Sequence, residues 1–376
     1  MRTIEPKDSF KVKEDTFISS DGVTEVVYYV YTPTAMPRAV LQISHGMNEY
    51  IGRYGEFVEF LCENGVVVCG NDHLGHGKTA KTEEDRGRFG EAGAIAHLTA
   101  DLKLLHDIMR RRYRGLPYIM FGHSMGSFIA RDYISTYKDD CDACILSGTS
   151  AAQKGLGAGI FLTKFLAGTR GPDYRSKFVH KMSDGGYNKH FKGETGFEWL
   201  TKDTEITAWR KNDEYSCFLF TVQSYNDLFN LLKDINEDGW FEEVPKSLPI
   251  MLISGLDDPV GDMGRGVTEV YDRLLDADAS EVRIKLIPGD RHEVLNETDR
   301  DEVRLIILEF IDDIIDGIHE SRMQQTLLYT TPLPEILQDV EPEGGSIIIG
   351  KSDRYKDENK KDENKEENKE NSGEDN

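Results

Sequence analysis

The stretch Tyr118-Ile119-Met120-Phe121-Gly122-His123-Ser124-Met125-Gly126 decides the reading of this chain. An apolar, strand-like run passes through glycine, one residue, serine, one residue and glycine, then continues at helical spacing through Met125, Ile129 and Tyr133. Strand, sharp turn and helix in that order make a nucleophile elbow: the serine backbone is strained, strand and helix pass close together, and only small residues fit on either side. The hydroxyl of Ser124 is then held out at the top of a sheet. Glycine, serine and glycine also meet at this spacing by chance in ordinary turns, so the rest of the chain has to carry the reading.

Upstream, residues 14–20 and 24–31 read as two strands around the turn Ser20-Asp21-Gly22, an antiparallel hairpin. Pro37 precedes the short apolar run Ala39–Ser44, expected of a buried central strand, which ends in His45-Gly46-Met47-Asn48. Helical spacing follows at Tyr54, Phe57, Val58 and Leu61 and stops at Gly65. A strand at 66–70 runs into residues 71–79, a loop too rich in glycine for helix. Its His73 and His76 suit backbone hydrogen bonding better than metal ligation, because no third ligand stands nearby in a rigid element. Leu98, Leu102, Leu105 and Met109 form one helical stripe before the elbow, and Ala143–Ser147 is another buried strand after it. This alternation predicts a mostly parallel sheet with helices on both faces.

Between residues 148 and 247 the rhythm breaks. Residues 155–168 are apolar and glycine-rich, too short to span a bilayer, and read either as a mobile apolar flap or as a plain buried helix. Residues 196–235 are dense in aromatic and charged side chains and read as a helical insertion. A strand at 248–254 resumes the pattern, followed by the turn 255–261, a helix striped by Val267, Val270, Tyr271 and Leu274, the strand Val282–Ile287, and a helix through Val303, Ile307, Phe310, Ile311 and Ile314. The expected organisation is eight strands in one core built from residues 1–150 and 248–320, with a helical cap at 151–247 inserted between two late strands. Residues 321–350 remain unassigned. Residues 351–376, with Lys-Asp-Glu-Asn-Lys repeated in tandem from Lys356, read as a disordered charged tail.

The chain has 376 residues, and its 45 basic and 68 acidic residues give a formal net charge of -23. That balance argues against nucleic acid as a partner and offers no basic patch for anionic lipid. Five cysteines, an odd number lying in apolar segments, read as free thiols of a reducing compartment. The pair Cys141 and Cys144 has no second ligand pair for zinc. The first ten residues are charged, with no apolar leader core, so a cytoplasmic location is expected.

A serine hydroxyl needs a base within hydrogen-bond reach, and the base needs a carboxylate to fix its tautomer. His292 lies just after the last strand and Asp258 after the strand before it, so Ser124, Asp258 and His292 stand in the order of an α/β-hydrolase triad. Asp257 competes for the acid role, and both aspartates could simply shape the Asp-Asp-Pro turn. His292 could instead cap the following helix. A developing oxyanion needs two backbone donors, and the N–H groups of Met125, just after the serine, and Met47, in the loop after the third strand, are the candidates.

The segments Ser44-His45-Gly46-Met47-Asn48-Glu49 with Arg53-Tyr54, Asp72-His73-Leu74-Gly75-His76-Gly77, Gly122-His123-Ser124-Met125-Gly126, Asp258-Pro259-Val260 and His292-Glu293-Val294-Leu295-Asn296-Glu297 resemble the monoacylglycerol lipase and lysophospholipase family of serine hydrolases. In the middle of the chain, residues 198–203 and 213–218 resemble it too. The resemblance covers about residues 10–318 and implies an α/β-hydrolase core, a cap lining an acyl tunnel, and hydrolysis of single-chain acyl esters through an acyl-enzyme, with no cofactor or metal. It nominates Ser124, Asp258 and His292 as triad, assigns the acid role to Asp258 over Asp257, and takes Met47 and Met125 as oxyanion donors. Leu74 and Glu214-Tyr215 depart from its pattern, which bears on substrate preference. The expected partner is an acyl-ester lipid, with transient membrane-surface contact through the cap. An aminopeptidase or thioesterase on the same scaffold is the second reading, with Glu194, Glu198, Asp203 and Glu205 as amine-binding candidates. A non-catalytic binding protein is the third.

Overall fold

Strands buried along their whole length can only be satisfied inside a sheet covered on both faces, and this chain places five of them together. The computed structural model describes residues 1–183 and 186–330, with side chains through residue 321. The expected tail at 351–376 and most of the segment 321–350 lie outside the described residues.

The elements run β1 (Phe10–Ile18), β2 (Glu25–Pro33), β3 (Ala39–Ser44), α1 (Gly55–Glu63), β4 (Val66–Asn71), α2 (Ile95–Arg112), β5 (Tyr118–His123), α3 (Met125–Thr136) and β6 (Ala143–Ser147). Five helices follow before the next strand: α4 (Leu156–Arg170), α5 (Lys177–Ser183), α6 (Thr204–Lys211), α7 (Val222–Asp234) and α8 (Asp238–Glu243). The chain then returns through β7 (Ile250–Gly255), α9 (Arg265–Asp276), β8 (Val282–Ile287) and α10 (Arg300–Thr330). All eight strands form one sheet in the order β1-β2-β4-β3-β5-β6-β7-β8. Only β1 with β2 and β2 with β4 pair antiparallel. The other pairings are parallel.

Alternate residues of a strand face opposite sides of a sheet. Ile119 and Phe121 of β5 therefore join a core with Phe57 and Leu61 of α1 and Ile307 and Phe310 of α10. Met120 joins another with Leu98 and Leu102 of α2, Ile129 of α3 and Val267 of α9. The parallel strands β3, β5 and β6 end side by side, with Ser44 opposite Gly122 and His123 opposite Ser147. Their carboxyl ends carry the loops from which a site in such a sheet is built.

Two details differ from expectation. β1 begins four residues earlier than the expected strand at 14–20, because this edge strand is half exposed and its lysines mask the alternation. The segment 155–168 is not a fully buried helix: α4 buries Gly159 and Thr163 against Phe229 and Asn226 of α7 and leaves Phe161 and Phe165 in solvent. Among the described residues no helix is long and apolar enough to cross a membrane.

Candidate active site

Ser124 sits at the turn from β5 into α3 with φ 53° and ψ -123°. A non-glycine residue there costs on the order of 1–3 kcal/mol, and surrounding structure must hold it. The flanking glycines make the turn possible. A Cβ on Gly122 would lie 2.5 Å from the Gly126 carbonyl oxygen, and one on Gly126 would lie 2.0 Å from that of Ser44. Ser124 N–H donates to the Ser147 carbonyl at 2.9 Å, tying the elbow to β6.

His292 brings Nε2 to 2.8 Å from Ser124 Oγ and Nδ1 to 2.9 Å from Asp258 Oδ2. Asp258 is fully buried and also accepts from Ser254 Oγ at 3.0 Å and from Val260 N–H at 2.8 Å. Burial pushes its carboxyl up, but the His292 charge and these donors outweigh that, and it sits below the usual carboxylate value. Asp257, the rival, is exposed. The structure therefore brings Ser124, Asp258 and His292 into one hydrogen-bonded line and leaves Asp257 outside it. His292 is held from both sides: the His123 ring lies 4.8 Å from its ring and the Trp199 indole 5.2 Å, centroid to centroid. Its backbone N–H donates to the Trp199 carbonyl at 3.4 Å and that of Glu293 to the Leu200 carbonyl at 2.7 Å, so the segment between β6 and β7 carries the histidine loop.

Met47 and Met125 both border the cavity above Ser124. Gly46, just before Met47, lies so near the elbow that a Cβ would meet Ser124 Cβ at 3.1 Å. Three buried histidines brace this loop. His76 Nε2 accepts from Asn48 N–H at 3.3 Å while its Nδ1–H donates to the Leu74 carbonyl at 3.0 Å. His45 Nε2 accepts from His73 N–H at 3.0 Å. Burial pushes the His45 and His76 imidazoles down to about 3, which keeps both neutral and able to accept.

Sequence reasoning named Glu49, Arg53 and Glu293 only as part of a pattern and gave Arg210 no role. In the structure these four form one buried ionic cluster. Arg53 donates to Glu49 at 2.9 Å and to both Glu293 oxygens at 2.8 and 2.7 Å, and Arg210 of α6 reaches Glu293 at 3.1 Å. Glu49 further accepts from Tyr54 Oη at 2.8 Å and from the N–H of Gly46. One cluster thus grips the residue after His292, the residue before Met47 and the helix α6. Charges at i and i+4 in an otherwise buried 3-10 turn were the available signal at Glu49 and Arg53. Behind them, Asp290, Glu297 and Asp299 draw together, but Lys202 places its ammonium 2.6 Å from Asp290 and supplies the cation itself.

Above Ser124 opens a cavity of about 760 Å³, within the range for small-molecule sites. Its lining includes the apolar Phe128, Leu156, Gly159, Leu228, Phe229 and Leu232 and the charged Glu49, Arg210 and Glu293.

The model of the family described as serine aminopeptidase S33 matches residues 35–299. The monoacylglycerol lipase of Mycolicibacterium smegmatis is 26% identical over 290 residues, covering 76% of this chain and 92% of that protein. Human monoglyceride lipase is 34% identical over 116 residues, a match spanning 30% of this chain and only 35% of the human one. The crystal structure of a thermostable carboxyl esterase from Bacillus coagulans in complex with glycerol superposes with a TM-score of 0.77 at 34% identity, over 81% of this chain and 99% of that one. With the matching model spanning most of the sheet and the loops at its carboxyl end, this chain belongs to the serine aminopeptidase S33 family of α/β-hydrolases.

Proposed function

We propose that this ester hydrolase works by a serine mechanism on single-chain acyl esters, monoacylglycerols or lysophospholipids. The named relatives support ester hydrolysis on an α/β-hydrolase scaffold. The observation that carries the finer reading is the Ser124–His292–Asp258 line opening onto a cavity lined by many apolar side chains together with Glu49, Arg210 and Glu293. Ser124 Oγ attacks the ester carbonyl as His292 Nε2 takes its proton. Asp258 fixes the His292 tautomer and stabilises its charged form. The N–H groups of Met47 and Met125 receive the oxyanion. His292 then returns the proton to the leaving alcohol, and water, activated by the same imidazole, releases the acid.

In this reading residues 151–247 are the cap, the acyl chain lies along its apolar wall, and the substrate arrives from a lipid surface that the cap touches. Every step is served by side chains and backbone, so no cofactor is called for. Five free thiols favour a cytoplasmic setting.

A peptidase would need an acidic pair at the cavity free to bind an amine, and none of the four candidates lines it. Glu198 accepts from Thr195 and Gly196 N–H and from Asn188, Asp203 caps α6, and Glu194 and Glu205 point into solvent. The test is a panel of acyl glycerols, lysophospholipids and aminoacyl arylamides, with fluorophosphonate labelling. Ser124→Ala should abolish labelling and lower kcat by about 10⁶-fold, and Asp258→Asn, but not Asp257→Asn, should lower it by about 10⁴-fold. Parent-like turnover by Ser124→Ala would remove the mechanism, and preference for arylamides would replace the substrate class.

A further inference from the structure

Hydrogen bonds to Ser124 and Asp258 fix the two nitrogens of His292, but its ring is also flanked by two other rings of different chemistry. One is the imidazole of His123, with planes inclined at 45° and centroids 4.8 Å apart. Burial pushes the His123 imidazole down to about 4, so it stays neutral beside the base at neutral pH. Gly148, at φ 58°, completes this side: a Cβ there would lie 2.9 Å from His292 Cε1 and 3.3 Å from His123 Cε1. The other ring is the indole of Trp199, with its centroid 5.2 Å from that of His292 and planes only 32° apart, an offset stack.

The indole is held in place from behind. The Trp199 backbone N–H donates to Asn188 Oδ1 at 2.9 Å, and the Tyr187 ring packs on the indole at 5.0 Å and 48°. Tyr187 Oη accepts from Gln153 Nε2 at 3.2 Å, and the same amide reaches the Val260 carbonyl at 3.3 Å. Val260 N–H in turn donates to Asp258, so the bracket that positions the indole is anchored in the loop of the orienting carboxylate. Trp199 also borders the cavity, but any large apolar side chain could line it. What a leucine in its place could not do is present the negative face of a π system to a positive charge.

We infer that Trp199 is a positioning residue for the base, its indole stabilising the positive charge that His292 takes on as Ser124 attacks. This rests on the serine mechanism proposed above and adds to it a group outside the triad. When Ser124 Oγ bonds to the ester carbonyl carbon, its proton passes to His292 Nε2, leaving a positive imidazole and a negative carbonyl oxygen. A cation within about 6 Å of an indole centroid is attracted by the ring quadrupole, most strongly where water is excluded, and His292 is almost wholly buried. The other groups that face His292 are Asp258 at Nδ1, Ser124 at Nε2 and the neutral His123. Glu293, next in the chain, turns its carboxylate to Arg53 and Arg210. Trp199 thus favours the charged imidazole without bringing a charge that would also bind the neutral one.

The experiment is the pH profile of kcat/KM for a soluble short-chain nitrophenyl ester with the full chain. Trp199→Leu should lower the alkaline plateau by about tenfold, and Trp199→Phe, which keeps a weaker aromatic face, by about threefold. The parent and leucine curves should converge below the acid limb, because there His292 is charged in the free enzyme as well and the contact favours both states alike. The limb should therefore move down by about one pH unit for the tenfold lost. Mono-, di- and trifluorinated tryptophan, which weaken the ring face with little change in size, should lower the plateau stepwise. The same analogues in Trp199→Phe, where only Trp209 and Trp240 carry them, should give no such series. If Trp199→Leu does not fold, the fluorinated proteins carry the test. A fall by the same factor at every pH would make Trp199 a packing residue and overturn the inference. Parent-like rates in Trp199→Leu, or a fluorinated series without a trend, would overturn it too. Failure of the serine mechanism would appear separately, as absent fluorophosphonate labelling of the parent.

Discussion

Replacing Arg53 by methionine tests how the site is held together. The guanidinium is buried, donates three hydrogen bonds to Glu49 and Glu293, and touches no atom of the triad. Methionine keeps much of the volume but leaves two buried carboxylates short of their counter-charge, which costs about 3–5 kcal/mol when one partner of a buried pair is removed. That should lower Tm by about 5–10 °C. The consequence for activity is separate. Glu49 holds the Gly46 N–H and Glu293 follows His292, so loosening both should displace the proposed oxyanion donor Met47 and the proposed base His292 together. Loss of one oxyanion donor alone costs about 10²–10³ in kcat. The expected result with a soluble ester is therefore a fall in kcat of about 100-fold with KM changed by less than about threefold. Burial pushes the Glu293 carboxyl up, and the Arg53 and Arg210 charges outweigh it and hold it well below the usual value. Without Arg53 that carboxyl should rise, so that adding Glu293→Gln costs less than in the parent, and the double-variant cycle should show a coupling of about 1–3 kcal/mol. Arg53→Met with parent-like kcat at a temperature where it is folded would refute the reasoning, because the cluster would then be structural only.

Gly126→Ala should fail to give soluble folded protein, since its Cβ would fall 2.0 Å from the Ser44 carbonyl oxygen. Thermal melting and expression level report this, and a folded, active variant would contradict the close approach of α3 to β3. Glu198→Gln addresses pH. Burial raises the Glu198 carboxyl, but the N–H and hydroxyl donors of Thr195 and the amide of Asn188 lower it further, to about 2. A depressed acid stabilises the fold above its ordinary value and loses that contribution as pH falls toward its folded value. The parent should therefore lose up to about 3 kcal/mol between pH ~4.5 and ~2 that the variant has already lost at pH 7, as urea unfolding across that range would show. Parallel stability curves would rule the contribution out.

What could be read from the chain follows from how far apart the interacting residues stand in it. β3 and β6 begin and end where short, mostly apolar runs begin and end, because a strand buried along its length has few polar residues to blur its limits. The elbow was legible for a related reason: strand, strained serine and close helix are satisfied within nine consecutive residues. Ser124, Asp258 and His292 could be ordered by counting strands, but their hydrogen bonds could not be read until the sheet order was known. Arg53 and Glu293 are 240 positions apart, and no local pattern marks two opposite charges as partners across such a gap. α4 shows the opposite failure. Its apolar glycine-rich composition signals either burial or mobility, and the chain uses it for exposure, an outcome that periodicity alone does not separate from the others.

The two backbone bonds from Trp199 and Leu200 to the histidine loop, together with the Arg210 contact to Glu293, have a consequence for how such proteins diversify. The part of the chain that lines the cavity also suspends the proposed base, His292. Exchanging residues 187–211 for those of a relative would therefore alter selectivity and turnover together. Among the described residues the half bearing α4 and α5 contributes no hydrogen bond to His292, so new substrate ranges should accumulate there first. In this architecture selectivity is adjustable at one end of the inserted segment and bound to catalysis at the other.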